Sequence, residues 1–307
     1  MDKLVFLFPG QGSQYVGMGT DLAAEYEEAA DVFAEADSAL DFALRDVMWN
    51  GPAEHLSWTA ITQPAIVTMS VAVLRVLERH GIRPVAAGGL SLGEYTALVA
   101  AGSLSFREAV RLVRERGRLM QDAVPIGKGA VAAVMGLEAA LVEQACAAVI
   151  GIVSVANYNC PGQVVVAGET EAVDAVVIKC SELGAKRAIK LPVSAPFHTV
   201  LLQGAGQLLR PYLELANIGD PRIPVVSNVT ADYYTPKHAV DLLVRQVSCP
   251  VRFEGCVRRF LNDGYKNFVE VGPGTALTSF IKRIDKEANV ISVENKAGVQ
   301  KLLEVLS

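Results

Sequence analysis

The chain has 307 residues, 51% hydrophobic, 20% charged and 7% aromatic, which supplies apolar surface for a sizeable core and excludes a disordered or disulfide-stapled chain. Its 28 Lys and Arg against 33 Asp and Glu give a net charge of -5 with no basic run, which argues against nucleic acid as a partner. The five cysteines are odd in number and scattered, with no CxxC and no nearby histidine pair, so neither a disulfide framework nor a metal site is expected and a reducing cytoplasm fits.

Met1-Asp2-Lys3 leads directly into an apolar stretch without the signature of a secretory signal. No apolar run approaches the ~18 residues that span a bilayer, so no membrane association is expected. Leu4 to Phe8, closed by Pro9-Gly10, reads as a strand buried on both faces of a parallel sheet. Residues 20–49 and 64–80 carry helical periodicity, the second ending at His80-Gly81 with Pro84 beyond. A short strand, Val85 to Gly88, precedes a helix from Gly93 to Ala101, and Ser105 caps a further helix to about Gln121. This alternation predicts an α/β core.

From Gly127 to Ser194 the pattern changes. Strand-like Ala130 to Met135, helical Leu141 to Ala148, strand-like Ile152 to Ala156 and Gln163 to Ala167, helical Thr170 to Leu183 and strand-like Arg187 to Val193 give the order βαββαβ. That is the split pattern of a ferredoxin-like unit. We therefore expect an inserted small domain at 127–194, within a large α/β domain formed by 1–126 and 195–307. Beyond it, Ile223 to Ser227 and Phe268 to Val271 read as strands, Ala239 to Val247 and Phe253 to Asn262 as helices, and a final helix opens at Gly272-Pro273-Gly274.

Gly89-Leu90-Ser91-Leu92-Gly93 fits G-x-S-x-G between a short strand and a helix, where small residues let the chain turn sharply and expose the serine oxygen. The amide of Leu92 then points into the same space from the helix N-terminus. An ordinary Gly-rich turn carrying a solvated serine has the same pentapeptide.

A serine nucleophile needs a base, and the chain has four histidines. His80 ends a helix, His238 follows Pro236-Lys237 in a polar loop, and His55 lies in a helix start, so all three read as surface or capping residues. His198 closes Ser194-Ala195-Pro196-Phe197-His198, where the chain re-enters the large domain, which is a cleft position. Beside a phenylalanine it is also consistent with a packing histidine; the serine turn tips the choice toward a base.

Arg116 interrupts an apolar helix face made by Ala109, Val113 and Met120. Burying an unpaired guanidinium costs on the order of several kcal/mol, so the site should offer it an anionic partner or water: a core carboxylate, solvent reached by snorkelling along the stripe, or a substrate carboxylate gripped by the planar fork. On the helix alone an internal ion pair or snorkelling is the simpler reading. The first Gly-rich turn, Pro9-Gly10-Gln11-Gly12-Ser13-Gln14-Tyr15, is neither a dinucleotide fingerprint nor a phosphate loop, but it can present the Gln11 amide as a second oxyanion donor.

These pieces in this order, with Gln63-Pro64-Ala65, Ala156-Asn157-Tyr158-Asn159-Cys160-Pro161-Gly162-Gln163 and Glu270-Val271-Gly272-Pro273-Gly274, resemble the malonyl-CoA:acyl carrier protein transacylases of bacterial fatty acid synthesis, over about residues 3–305. The resemblance implies a hydrolase-like large domain with a ferredoxin-like small domain and a cleft site between them. It makes Ser91 the acylated nucleophile, His198 its base, and the backbone carbonyl of Gln246 the group that orients the base. It gives Gln11 and Leu92 the oxyanion amides, Arg116 the malonyl carboxylate, Phe197 the crowding of the α-carbon, and Asn157 and Asn159 the lining of the cleft. It implies malonyl-CoA and acyl carrier protein as partners and no cofactor. Many relatives have histidine where this chain has Leu90, so that polar contact is absent here.

On this reading the chain is a malonyltransferase acting by a ping-pong acyl-serine mechanism. The alternatives are a free-standing acyltransferase of a polyketide assembly line, an acyl-thioester hydrolase, and a non-catalytic carrier-docking module. An acidic carrier protein calls for a basic rim, for which Lys186, Arg187, Lys190, Arg258, Arg259, Lys282 and Arg283 are candidates.

Overall fold

The computed structural model describes residues 3–191, 193, 195–235 and 238–306. The expected domain ends at Met1, Ser194 and Ser307, and the Pro236-Lys237 pair, lie outside them. In chain order the elements are β1 (Leu4–Phe8), α1 (Thr20–Glu25), α2 (Glu27–Ala39), α3 (Leu44–Asn50), α4 (Ala53–Leu56), α5 (Thr59–Arg79), β2 (Ala86–Gly89), α6 (Gly93–Ala100) and α7 (Phe106–Asp122). There follow β3 (Gly129–Met135), α8 (Ala139–Ala147), β4 (Val153–Cys160), β5 (Gln163–Glu169), α9 (Thr170–Glu182) and β6 (Arg187–Lys190). The chain closes with α10 (Gln203–Leu215), α11 (Ala239–Gln246), α12 (Phe253–Asn262), β7 (Asn267–Val271), α13 (Ala276–Ile284), β8 (Asn289–Val293) and α14 (Lys296–Leu306).

The first sheet runs β2-β1-β7-β8 and is parallel throughout. Every residue of β1 is buried because both faces are covered: Leu4, Phe6 and Phe8 join one apolar core, Val5 and Leu7 the other. The second sheet, in the order β4-β5-β3-β6, is antiparallel. With α8 and α9 crossing one face, this is the ferredoxin-like arrangement, and the fold is that of an α/β hydrolase-like unit carrying a ferredoxin-like one. Ala130, Ala132, Val134, Val164 and Val166 pack under those two helices, while Val131, Ala156 and Ala167 form a smaller apolar group with Leu191 and Val193 on the opposite face.

The two sheets are tied where the site lies. Val251 donates to the Ala156 carbonyl and accepts from the Tyr158 amide, so the edge of β4 continues onto the segment that follows α11. The two chain crossings also touch, since a Cβ at Gly129 would lie 2.4 Å from Pro196 Cδ.

Several elements depart from the sequence expectation. Residues 20–49 form three helices, broken where Tyr26 and Leu40 adopt extended backbone. Helix α5 starts at Thr59, before Pro64, and holds this proline inside at the loss of one backbone donor. Despite the expectation of no long apolar run, α5 has the length and mean hydropathy, 1.6, of a membrane-crossing helix, with 89% of the window buried inside the protein. The segment Ile223 to Ser227 is not a strand: it meets β2 only at an isolated bridge between Val225 and Ala87, next to Pro224, which has no amide to donate. Helix α10 falls in a stretch with no expected element, and the expected single terminal helix is α13, β8 and α14.

Candidate active site

Strand β1 ends in Pro9-Gly10 and strand β2 in Gly89, side by side in the parallel sheet, so both following turns open at the same carboxyl edge. After β2 the chain reverses at once into α6. Ser91 sits in the turn with φ 51°, in the left-handed region that side chains avoid. Its glycine neighbours are required by space: a Cβ at Gly93 would lie 2.0 Å from the Phe8 carbonyl oxygen, and one at Gly89 would lie 2.1 Å from the Gly93 carbonyl carbon. The strained turn is pinned by Asn228, whose Oδ1 accepts from the Ser91 amide at 2.6 Å and whose Nδ2 donates to the Gly89 carbonyl at 2.8 Å.

His198 also has positive φ, 60°, and is 4% exposed. Its Nδ1 lies 2.8 Å from the Gln246 carbonyl oxygen, which only accepts, so the proton is on Nδ1 and Nε2 is the acceptor. Nε2 stands 2.7 Å from Ser91 Oγ and accepts a hydrogen bond from the hydroxyl. Burial, reinforced by the nearby Arg116 charge, lowers the imidazole to about 3, so the ring is neutral near pH 7 with Nε2 unprotonated.

Arg116 lies on the buried stripe of α7 with Ala109, Val113 and Met120, and is 1% exposed. Among the described residues no carboxylate lies within ion-pair distance of it. Nη1 donates to Gln63 Oε1 at 2.8 Å, and Nη2 donates to Gln246 Oε1 at 3.0 Å and to Ser91 Oγ at 3.1 Å, with the guanidinium 5.3 Å from the Tyr95 ring centroid. Burial lowers the guanidinium from its usual range, with Tyr95 and Glu94 nearby opposing the shift, and arginine stays protonated, so the site holds a cation with no carboxylate in direct contact, touching the serine oxygen.

Leu92 is buried at the start of α6 and Gln11 half-buried after β1, and neither backbone amide has a hydrogen-bond acceptor among the described residues. Phe197, half-buried, packs against the main core next to His198. Asn157 is half-buried where β4 bridges to Val251; Asn159 is buried, and its Oδ1 has no partner among the described residues. Leu90 packs partly against the second core. Ser91, His198, Arg116 and Gln246 are therefore brought into direct contact from four separate segments.

The three remaining histidines stand elsewhere. His55 stacks edge-on against Trp58, His80 is exposed at the end of α5, and His238 is exposed and bonded to Thr235. Of the basic rim, Lys190 pairs with Asp174, Arg258 with Glu254, and Arg259 with Asp232 and Asp263, while Arg283 donates to Gln163 across the two sheets. The five cysteines are free thiols.

The sequence reading passed over Gln63 as a contact of Arg116, the side chain of Gln246, Asn228, and Glu94 with Tyr234. The available signal was polarity inside apolar helices: Gln63 in α5 and Glu94 in α6 are both fully enclosed.

A family model described as the acyl transferase domain matches residues 5–302. The malonyl CoA-acyl carrier protein transacylase of Bacillus subtilis is 42% identical over 310 residues, covering 100% of this chain and 98% of that protein. The crystal structure of an acyl carrier protein S-malonyltransferase from Vibrio cholerae superposes with a TM-score of 0.94 at 43% identity, covering 98% of this chain and 100% of that one. A malonyl-transacylase solved in complex with a type II polyketide acyl-carrier protein superposes at 0.96 with 42% identity, covering 99% of this chain and 100% of that one.

Proposed function

The chain belongs to the acyl transferase domain family, and from that premise we propose that it moves a malonyl group from malonyl-CoA to the phosphopantetheine thiol of acyl carrier protein through an acyl-serine. The observation that carries this reading is Ser91 Oγ lying 2.7 Å from the His198 acceptor nitrogen and 3.1 Å from the Arg116 guanidinium, which has no carboxylate in direct contact. A nucleophile, its base and a carboxylate receptor thus meet at one oxygen.

In the first half-reaction Ser91 Oγ attacks the thioester carbonyl as His198 Nε2 takes its proton, and the carbonyl of Gln246 steadies the imidazolium through Nδ1–H. The oxyanion sits between the Gln11 and Leu92 amides. Its collapse expels the CoA thiolate, which takes the proton from His198. In the second half the carrier thiol gives its proton to His198, attacks the acyl-serine, and restores the hydroxyl. Thioester becomes thioester through an ester, so atoms balance without a co-reactant.

Arg116 receives the malonyl carboxylate. Acetyl-CoA would leave the buried cation without a carboxylate in contact, which disfavours that substrate. Phe197 crowds the α-carbon, and Asn157 and Asn159 line the approach from the small domain, which we take as residues 127–194 inserted in a large domain of 1–126 and 195–307. Five free thiols fit a cytoplasmic setting.

The test is intact mass after incubation with malonyl-, methylmalonyl- or acetyl-CoA, with and without carrier protein. A malonyl adduct should form, be absent in Ser91→Ala, and pass to the carrier thiol; an adduct retained in Ser91→Ala refutes the assignment. Free malonate in place of malonyl carrier would mark a hydrolase. Because one relative was solved with a polyketide carrier protein, fatty acid and polyketide carriers belong in the same assay.

A further inference from the structure

Three residues after the nucleophile, the carboxyl of Glu94 is fully buried yet touches neither the serine, the base nor the arginine. Its Oε2 accepts from the Gln246 side-chain amide at 2.7 Å and from the Asn228 backbone amide at 3.0 Å, and its Oε1 is met by the Tyr234 hydroxyl. The Asn228 backbone N–H only donates, so Oε2 accepts there whichever way the Gln246 amide is turned.

Together with the Ser91 carbonyl, which only accepts, this sets the orientation of the Gln246 amide. Its nitrogen faces two acceptors, Glu94 Oε2 and the Ser91 carbonyl at 2.9 Å, which leaves Oε1 toward the Arg116 donor at 3.0 Å. Turned over, the amide would set N–H against N–H at Arg116 and oxygen against oxygen at Glu94.

We propose that Glu94 is a positioning residue for the substrate carboxylate: by holding the Gln246 side chain in one orientation, it aims the Arg116 fork at the acyl group. Gln246 thereby acts twice, its backbone carbonyl on the base and its side chain on the clamp. The inference rests on the malonyl reading above and adds the element that sets the clamp's direction.

A group that acts as an acceptor can be replaced by another acceptor. Glu94→Gln can present its amide oxygen to both donors, whereas Glu94→Leu offers none. The expected result is a malonyl-CoA KM raised about 10- to 100-fold in Glu94→Leu, the range for leaving a buried polar group unmatched. Glu94→Gln should stay within about threefold of wild type. Any loss through the Asn228 arm falls on acetyl and malonyl transfer alike and cancels in their ratio. Gln246→Leu, which keeps the backbone carbonyl on His198, should reproduce the KM effect and serves if Glu94→Leu does not fold. Lower kcat on both substrates with KM unmoved, or Glu94→Gln as impaired as Glu94→Leu, would overturn the proposal. Arg116→Met in the same assay separates the two levels: if it keeps the malonyl preference, the carboxylate reading itself fails.

Discussion

Replacing Arg116 with methionine, which is of similar length and uncharged, removes the group proposed to distinguish a malonyl from an acetyl thioester by charge. A planar fork on a carboxylate makes two charge-assisted hydrogen bonds, each worth about 1.5–3 kcal/mol, so about 3–6 kcal/mol of transition-state binding is lost. At 1.36 kcal/mol per decade that is about a 10²- to 10⁴-fold fall in kcat/KM for malonyl-CoA. Acetyl-CoA has no carboxylate to lose. Its transfer also gains, because the arginine charge that helps to lower His198 is gone and the base becomes stronger. Stability moves little. Removing an unpaired buried cation recovers desolvation energy of several kcal/mol, but it strands the Gln63 and Gln246 oxygens at about 1–3 kcal/mol each. These offset, so Tm should shift by only a few degrees, at the 2–4 °C per kcal/mol typical of such a chain, roughly. The assay is kcat/KM for the two thioesters at matched carrier concentration, with Tm of each preparation. Equal losses on both substrates, at an unchanged Tm, would refute the charge argument.

The lowered imidazole predicts two pH effects. The kcat/KM for acylation should be level from pH 5 to 8 with no inflection near the ordinary histidine value of 6.5, and a clear acid limb there would show that the base is not so depressed. In the linkage, the unfolded chain takes up a proton below its own pKa while the folded site does not, so the contribution is intact above 6.5 and is lost as pH falls toward about 3. Chemical unfolding of wild type and His198→Ala at pH 7 and pH 4.5 should therefore show the smaller pH loss in the variant. At the elbow, Gly93→Ala puts a methyl carbon 2.0 Å from a β1 carbonyl oxygen, and urea unfolding should show a loss of about 3 kcal/mol or more; a near-neutral result would contradict the steric account of the turn.

Which of these features can be read in the sequence follows from how each is enforced. The elbow is enforced by glycines at fixed offsets from the serine, because only they clear β1 and the chain's own return, so it appears as a local motif. Arg116 is visible as one charge in a 3.6-residue apolar rhythm. The ferredoxin-like unit is visible because its strands and helices change period in a recognisable order. Helix α10 is obscured by Gly204, Gly206 and Pro211, residues that read as breakers but are carried here by packing on α7 and α11. Strand β8 is half-buried at the sheet edge and lacks the apolar run that betrays β1.

The supporting polar shell leaves no such trace. Asn228 meets Ser91 across 137 positions, Gln246 meets Glu94 across 152, and Arg116 meets Gln246 across 130. No spacing rule links such partners; only the parallel sheet, by opening its turns at one edge, and the β4 bridge to Val251, by fixing the chain just after Gln246, bring them within reach. On the proposed roles, base and clamp share a residue. A displacement of the 246–251 segment would move the carbonyl on His198 and the amide on Arg116 together, so the small domain, which holds that segment through Ala156 and Tyr158, can disturb basicity and substrate choice in a single step without touching either group.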